Sequence, residues 1–200
     1  NGLIGSESAL FFSSKGFEIL GVDNNFRQLF FGKEGSTIWQ KKNLKNKIKN
    51  YRHFNTDIRN YSNLEKIFKK YKKNISIIIH CAAQPSHDYG KKFPKLDFDI
   101  NAKGTLNLLE LTKLYSPEAV FVHMSTNKVY GDNPNNLNII EKSKRWELKT
   151  TDNNYKGIKE NFSIDNCTHS FFGVSKVYSD LIAQEYGFNV GLKTSIFRGG

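Results

Sequence analysis

The sequence alternates short β-rich runs with longer helical segments, and this alternation limits the folds that the chain can adopt. The strongest strand signal is ISIIIHCAA (residues 75–83), a continuous apolar run typical of a strand buried on both faces of a parallel sheet. An amphipathic helix is predicted before it at 63–73, and a second helix after it at 106–115. This order predicts an α/β fold built on a doubly wound parallel sheet with right-handed crossovers.

The remaining periodic segments fit the same order. Further strands are predicted at 17–23, 119–126 and 192–198, and further helices at 6–15 and 172–186. Residues 132–168 are polar with little periodicity, and they are too many for an ordinary loop. We therefore expect this stretch to be functional or to contain small elements of its own.

The formal net charge of +11 raises the question of a nucleic-acid partner. The lysines are scattered among asparagines, as in KKNLKNKIKN (41–50), which is typical of solvated faces. An anionic small-molecule partner explains the charge at least as well, and we expect no nucleic acid and no metal. Cys81 and Cys167 lie far apart, which suits the reducing cytoplasm better than a disulfide framework. No apolar run reaches about eighteen residues, so no membrane partner is expected.

The first residues, NGLIG, open directly into a helix. Gly2 and Gly5 fit the last two glycines of a dinucleotide fingerprint, in which a pyrophosphate sits on the helix N-terminus, although a plain glycine turn before a helix fits them as well. Asp23 ends the next strand about twenty residues later, where a carboxylate accepts hydrogen bonds from a ribose and repels a 2′-phosphate. Together these features predict a dinucleotide site that prefers NAD to NADP.

Three later motifs carry a family resemblance: HCAAQPSHD (80–88), STNKVYGD (125–132) and HSFFGVSK (169–176), with FDINAKGTLNLLE (98–110) between them. With these motifs the chain resembles the NAD-dependent epimerases and dehydratases of the extended short-chain dehydrogenase/reductase family, and within it those that invert C2 of a CDP-sugar. The resemblance implies an NAD-binding Rossmann fold. In that fold a strand precedes the glycines and a substrate-binding domain follows, so we expect residues 1–200 to be a domain truncated at both ends that does not fold stably alone.

The resemblance also implies a set of site residues. The cofactor would be bound by Gly2, Ile4, Gly5, Asp23, Asn24, Asp57, Ile58, Ala82, Ala83, Gln84, Asn101, Ser125 and Lys176. The nucleotide-sugar substrate would contact Ser86, His87, Thr126 and Asn127. Thr126 would hydrogen-bond the sugar oxygen being oxidised, and Lys176 would hold the nicotinamide ribose. From the residues alone, Thr126 fits an ordinary strand end and Lys176 a solvated helix lysine equally well.

The residues after Thr126 bear on the reaction. In the family's dehydratases an acidic pair follows the threonine, whereas this chain has Asn127 and Lys128, which are not carboxylate acids or bases. Dehydration is therefore disfavoured, and removal and return of a hydride through NAD is expected, which makes the chain an NAD-dependent nucleotide-sugar epimerase, with a CDP-sugar favoured. A net oxidoreductase and a non-catalytic binding homologue are the alternatives.

Phe172 occupies the position of the family's catalytic tyrosine, four residues before Lys176. Because phenylalanine has no proton to exchange, another group must act if the site is active, and the intact SxFGxSK spacing favours an active enzyme. The candidates are His87, His169, Lys176 itself and Thr126 acting through water, whereas Tyr178 lies on nearly the opposite helix face. The resemblance also allows a homodimer through the helices at 106–115 and 172–186.

Overall fold

The computed structural model describes residues 1–199 as eight α-helices and seven strands. The helices are α1 (Leu3–Ser14), α2 (Arg27–Phe31), α3 (Ile38–Lys47), α4 (Tyr61–Tyr71), α5 (His87–Lys92), α6 (Pro94–Phe98), α7 (Gly104–Tyr115) and α8 (Ser170–Phe188). The strands are β1 (Ile19–Val22), β2 (Tyr51–Phe54), β3 (Ile77–His80), β4 (Val120–Thr126), β5 (Ile139–Glu141), β6 (Trp146–Leu148) and β7 (Lys193–Gly199). Every predicted helix and strand is present, with ends that shift by a few residues.

The strands form two parallel sheets and one small hairpin. Strand β1 pairs with β2, and β4 lies between β3 and β7, all in parallel register. Helix α1 contacts both β1 and β3, although no strand pairing joins the two sheets within residues 1–199. The antiparallel β5–β6 hairpin lies in the long polar stretch, which therefore contains small elements, as predicted. The predicted parallel α/β fold is confirmed.

The core lies between the β3–β4–β7 sheet and helices α4, α7 and α8. Phe121 on β4 and Leu109 on α7 are fully buried, and Leu64 and Phe68 pack from α4. The apolar face predicted for α4 is therefore the buried one. Burial of this kind stabilises by about 1.5–3 kcal/mol for each large apolar side chain.

The strand predicted at 75–83 is shorter than its apolar run suggested. Pairing covers only Ile77–His80, after which the backbone leaves the sheet. The physical reason is that the Gln84 amide donates to the side chain of Asn101 at 2.8 Å instead of joining a ladder. Apolar sequence continues past the end of the strand because the departing backbone is still partly covered.

Four short helices and one π turn were not predicted. Helix α3 is rich in lysine and asparagine, and α6 starts with Pro94 at its first turn, where a missing N–H costs little. A π turn, Asp99–Lys103, links α6 to α7. Between residues 1 and 199, no helix combines the length and apolarity needed to cross a membrane.

Candidate active site

The candidate site lies at the carboxyl ends of β3 and β4, where doubly wound folds bind their ligands. Strand β4 ends at Thr126, whose Oγ1 accepts from the Lys128 amide at 3.3 Å and starts a 3₁₀ turn, Asn127–Tyr130. This turn packs on α8 at Gly173, where a Cβ would lie 3.3 Å from the Lys128 carbonyl oxygen and 3.1 Å from His169 Cβ. The glycine therefore lets the Thr126 turn approach the helix that carries Phe172 and Lys176.

Lys176 is buried beneath β4, with 4% of its surface exposed, so it is not a solvated helix lysine. Its Nζ donates to the Met124 carbonyl oxygen at 2.9 Å. Burial lowers the pKa of Lys176 to about 8, although the charges of Asp180, Cys81 and Asp97 act in the opposite direction. An ammonium group has three donors, and this one makes a single hydrogen bond within residues 1–199. Donors therefore remain for the hydroxyls of a ribose or a sugar.

Phe172 and His87 are in direct contact. The two ring centroids are 4.8 Å apart in an edge-to-face arrangement, and only 7% of Phe172 is exposed. His87 Nδ1 lies 3.1 Å from Ser170 Oγ at the start of α8. Ser170 adopts a positive φ of 61°, and its Oγ also accepts from the Gly173 amide at 3.2 Å. The position of the expected tyrosine is thus adjacent to an imidazole.

A buried polar network holds the loop that carries His87. The Gln84 side chain bonds both the amide and the carbonyl of Ser86, at 2.6 and 2.7 Å, and Asn101 bonds the amide and the carbonyl of Gln84. Asp97 accepts from Gln84, Asn101 and Ser175, the last of which is on α8. Ser86 Oγ accepts from the Tyr89 amide and caps α5. The loop is therefore fixed to α8 through buried hydrogen bonds, which favours a pre-organised site.

Two neutral histidines lie under this network, paired across β3 and β4. Thr105 donates its hydroxyl to the Asn101 carbonyl, so it accepts from His80 Nε2 at 2.9 Å. Ser179 likewise accepts from His123 Nε2 at 3.1 Å. Burial, together with the nearby charge of Lys176, lowers the pKa of His80 to about 3 and also lowers that of His123. Both imidazoles are uncharged near neutral pH and belong to the core.

One helical turn after Lys176, Asp180 forms a buried ion pair with Arg198 on β7. The guanidinium makes two bonds to the carboxylate, at 2.8 and 3.0 Å, and Asp180 also accepts from Ser125 at 2.5 Å. Burial raises the pKa of Asp180, but the hydrogen bonds from Arg198 and Ser125 outweigh it and leave that pKa below its ordinary value. Ser125, predicted to contact the cofactor, directs its hydroxyl to this pair.

The glycine end of the site lies at the N-terminus of α1. Gly2 caps the helix without a side-chain hydrogen bond, and a Cβ on Gly5 would lie 3.8 Å from Cys81 Cβ. No side chain among residues 1–199 therefore caps the free N–H groups of this helix end, which suits a pyrophosphate. Ile4 is exposed on the same helix, while Ala82 and Ala83 lie in the loop after β3.

The acidic residues predicted to bind the adenosine already have partners. Asp23 Oδ1 accepts from the Asn25 amide at 2.7 Å. Asp57 forms a two-point ion pair with Arg59 and accepts from Asn24 at 3.1 Å. Ile58 is buried in the core, next to Gly104 on α7. Asn24 and Asp57 are thus brought together at the ends of β1 and β2.

A cavity of about 890 Å³ opens beside the site. Its lining includes His87, Asn127, Lys128 and Ser170, so the residues after Thr126 and the candidate imidazole share one space. His169 also lines it, but its Nε2 is 2.8 Å from the Ile164 carbonyl oxygen. Tyr178 packs on Phe98, away from this space.

Several residues of the site were missed from the sequence. Asp97, Ser170, Ser175 and the Asp180–Arg198 pair were not singled out, although Asp180 stands four residues after Lys176 and so shares its helix face. That spacing was the only available signal for Asp180. The others depend on contacts between segments that are far apart in sequence.

Comparison with known proteins places this arrangement in a family. Residues 1–147, most of the chain, match the family described as GDP-mannose 4,6-dehydratase. The chain belongs to this family. The resemblance to NAD-dependent epimerases and dehydratases that the motifs predicted is thereby confirmed.

Two curated relatives of the family are epimerases. CDP-paratose 2-epimerase of Salmonella typhi is 29% identical over 98% of this chain and 54% of its own length. UDP-glucuronate 4-epimerase of Thermodesulfobacterium geofontis is 34% identical over 66% of this chain and 39% of its own length. The chain therefore spans about half the length, or less, of these relatives.

A solved structure of similar fold is the UDP-glucose 4-epimerase of Thermus thermophilus in complex with NAD. It superposes with a TM-score of 0.69 and 25% identity, covering 98% of this chain and 51% of its own. The predicted Rossmann fold is confirmed by this match. The predicted NAD cofactor agrees with the ligand of this neighbour.

Proposed function

We propose that this family member is an NAD-dependent nucleotide-sugar epimerase. The observation that carries the proposal is the buried Lys176, anchored to the carbonyl of Met124 on the strand that ends at Thr126. An ammonium group held there, with spare donors, and a strand-end hydroxyl are the two groups needed to orient a ribose and a sugar alcohol. The epimerases among its relatives support the same activity.

The residues present fit NAD. The free helix end at Gly2 and Gly5 suits the pyrophosphate, Asp23 the adenosine ribose, and Lys176 the nicotinamide ribose. Bound NAD would supply a reversible acceptor for the hydride of a sugar alcohol. The chain's own task is then to orient the sugar, keep the buried ammonium in place and move one proton.

Epimerisation is favoured over dehydration by the residues that follow Thr126. Asn127 and Lys128 line the cavity in place of an acidic pair, so neither supplies the carboxylate needed to eliminate water. We infer that the transient ketone is reduced again on its other face. We propose C2 of a CDP-sugar as the site of inversion because the Salmonella relative, which aligns over almost the whole chain, is a CDP-paratose 2-epimerase.

The outer faces of α7 and α8 support a homodimer as part of this proposal. Leu114, Val174 and Leu181 are exposed there, which is the composition expected of a helix-paired interface. Sedimentation of the intact protein at several concentrations tests it, since a monomer at all of them would contradict the pairing.

The activity is tested by incubating the intact protein with NAD and a panel of CDP- and UDP-sugars in deuterated water. An epimerase inverts one carbon, takes up no deuterium on carbon and accumulates no NADH absorbance. Stoichiometric NADH instead identifies a net oxidoreductase, and deuterium at a neighbouring carbon identifies enolisation.

Variants at the strand end sharpen the test. Thr126→Val removes the hydroxyl at nearly constant volume, and Thr126→Ser keeps it. We expect turnover to fall in the first and to survive in the second. Because Phe172 lacks the hydroxyl of the family's tyrosine, a second candidate function is a homologue that binds dinucleotide and sugar without turnover. Affinity for both, with no product from any sugar, would establish it.

A further inference from the structure

We propose that His87, held by Ser170, carries the proton that the family's tyrosine would carry. The inference rests on the proposed function and names the acid–base group of the same site. It starts from the contact of His87 with Phe172, whose ring lacks the hydroxyl, and from the 3.1 Å separation of His87 Nδ1 and Ser170 Oγ. A proton-exchanging ring therefore lies against the ring that has none.

The proton balance defines what this group must do. Oxidation of a sugar alcohol to a ketone breaks one C–H and one O–H bond, and the hydride of the C–H bond would pass to bound dinucleotide. The proton of the O–H bond goes to an imidazole nitrogen, where a new N–H bond forms. When the ketone is reduced, the same N–H bond breaks and the proton returns to the oxygen. Imidazole suits this cycle because it exchanges a proton near neutral pH.

Under this proposal Ser170 accepts from Nδ1–H of His87, and so sets which nitrogen takes up the proton. Its Oγ already accepts from the Gly173 amide at 3.2 Å, and its remaining lone pair is free for Nδ1–H of His87. With Nδ1 protonated and held, Nε2 is the nitrogen with a free lone pair. The contact persists in the imidazolium, where both nitrogens are donors, so Ser170 orients the ring in both states. His87 is then the base, and Ser170 is the group that orients it.

The loop that carries His87 is rigid enough for this role. Gln84 holds both backbone groups of Ser86, and the Ser86 side chain caps the helix that begins at His87. The Asp97 network connects the same loop to Ser175 on α8, the helix of Ser170. Both partners of the His87–Ser170 contact are therefore fixed to one buried framework.

Two competing groups are less suited. His169 lines the same cavity, but its Nε2 is 2.8 Å from the Ile164 carbonyl oxygen, and its Nδ1 would lie 2.6 Å from a Cβ on Gly131. Lys176 has a lowered pKa, yet its Nζ is bonded to the Met124 carbonyl beneath the strand. His87 lines the cavity beside Asn127 and is exposed, so its ring is open to both the cavity and solvent.

The first experiment compares His87→Gln, Phe172→Tyr and the double variant in the intact protein. His87→Gln should lower turnover about 10²–10⁴-fold, the usual effect of losing an acid–base group. NAD affinity by calorimetry and the melting temperature should stay near the wild-type values. Adding Phe172→Tyr to His87→Gln restores a phenol at the tyrosine position and should recover at least about tenfold of the loss. His53→Gln, on β2 and outside the lining of this cavity, is the matched histidine control and should retain turnover.

The second experiment tests Ser170, first by a measurement that needs neither cofactor nor substrate and then by turnover. Side-chain ¹⁵N NMR of the wild-type protein should show His87 as the Nδ1–H tautomer, and Ser170→Ala should shift it towards Nε2–H. Turnover should fall about fivefold, consistent with the loss of one neutral hydrogen bond. Ser170→Gly also removes the hydroxyl but fits the positive φ of this position, so it should reproduce both changes and controls for backbone strain in Ser170→Ala.

The outcomes test the role of His87, the role of Ser170 and the proposed function separately. Wild-type rates in His87→Gln, loss of NAD binding in that variant, or no recovery in the double variant would overturn the role of His87. An unchanged tautomer in Ser170→Ala would overturn the role of Ser170. A wild-type protein that turns over no sugar defeats the proposed function, and the proton-carrier role with it, whereas an active wild type with an equally active His87→Gln defeats only this inference.

Discussion

Replacing Arg198 with alanine would show how much the Asp180–Arg198 ion pair contributes to the free energy of unfolding. The guanidinium donates from Nε and Nη2 to the two oxygens of Asp180, at 3.0 and 2.8 Å, and from Nη1 to the Tyr130 hydroxyl and the Glu160 carbonyl. Asp180 is only 1% exposed, and its carboxylate would keep the hydrogen bonds from Ser125 and Gln184 but lose its ion-pair partner. Removing one member of a buried pair costs about 3–5 kcal/mol of unfolding free energy, and we expect a loss in that range.

The assay is urea unfolding of the intact protein, with Lys193→Ala as the control. Lys193 pairs with Glu118 on the surface, where the two side chains are 58% and 84% exposed. An exposed pair of this kind contributes about 0.2–1 kcal/mol, so the control should lose little. Arg198→Lys keeps the charge but loses the two-point geometry, and should fall between the other two variants.

The pH dependence of the destabilisation in Arg198→Ala provides a second test. With Arg198 present, the pKa of Asp180 is below its ordinary value, so the stabilisation exists above the unfolded pKa and is lost only as pH falls through the lower folded value. Without Arg198, burial is left to raise that pKa, so the destabilisation should shrink as pH is lowered from 7 to 5. Equal losses in Arg198→Ala and Lys193→Ala, with no such pH trend, would refute this account.

Three further predictions concern the same framework. Because the pKa of His80 is lowered to about 3, the unfolded state binds more protons below pH 6.5, and unfolding free energy should fall by about 2 kcal/mol more between pH 7 and 5 in wild type than in His80→Gln, as measured by urea unfolding. Since the pKa of Lys176 is about 8, its ammonium is lost above that pH, so calorimetry should show NAD affinity falling from pH 7 to 9 in wild type but not in Lys176→Met. Asp97→Ala removes a carboxylate that accepts from Gln84, Asn101 and Ser175, each of which keeps another acceptor, and should lower unfolding free energy by about 1.5–3 kcal/mol, the range for hydrogen bonds to a charged group. Glu7→Ala, at an exposed position, should change it by less than about 0.5 kcal/mol.

The fold was accessible from the sequence because apolar periodicity reports burial directly. The run at 75–83 and the face of α4 led to the right strands and helices. Helix α3 was missed since its lysines and asparagines give no apolar period, and only Leu44 and Gln40 are buried within it. The end of β3 was misplaced because local sequence does not show that the Asn101 side chain replaces the ladder at Gln84.

The candidate site was only partly accessible from the sequence. Thr126 and Lys176 were singled out because their motifs match those of the family, and His87 because it follows the end of a strand. Their cofactor and substrate roles stay predictions, which the variants above test. Asp97 and Ser170 were not found, because the role of each depends on a contact with a residue far away in the sequence. Ser175 lies 78 residues from Asp97, and Ser170 lies 83 residues from His87.

Four side chains of helix α8 hydrogen-bond neighbouring elements: Ser175 bonds α6, Lys176 and Ser179 bond β4, and Asp180 bonds both β4 and β7. We therefore expect no local unfolding of this part of the helix, because unfolding it would break hydrogen bonds to several neighbouring elements at once. Amide hydrogens of α8 and β4 should consequently exchange with solvent deuterium together, at the slowest rate in the protein, rather than in stages. The chemistry would then take place on the most persistent part of the structure and not on a moving flap.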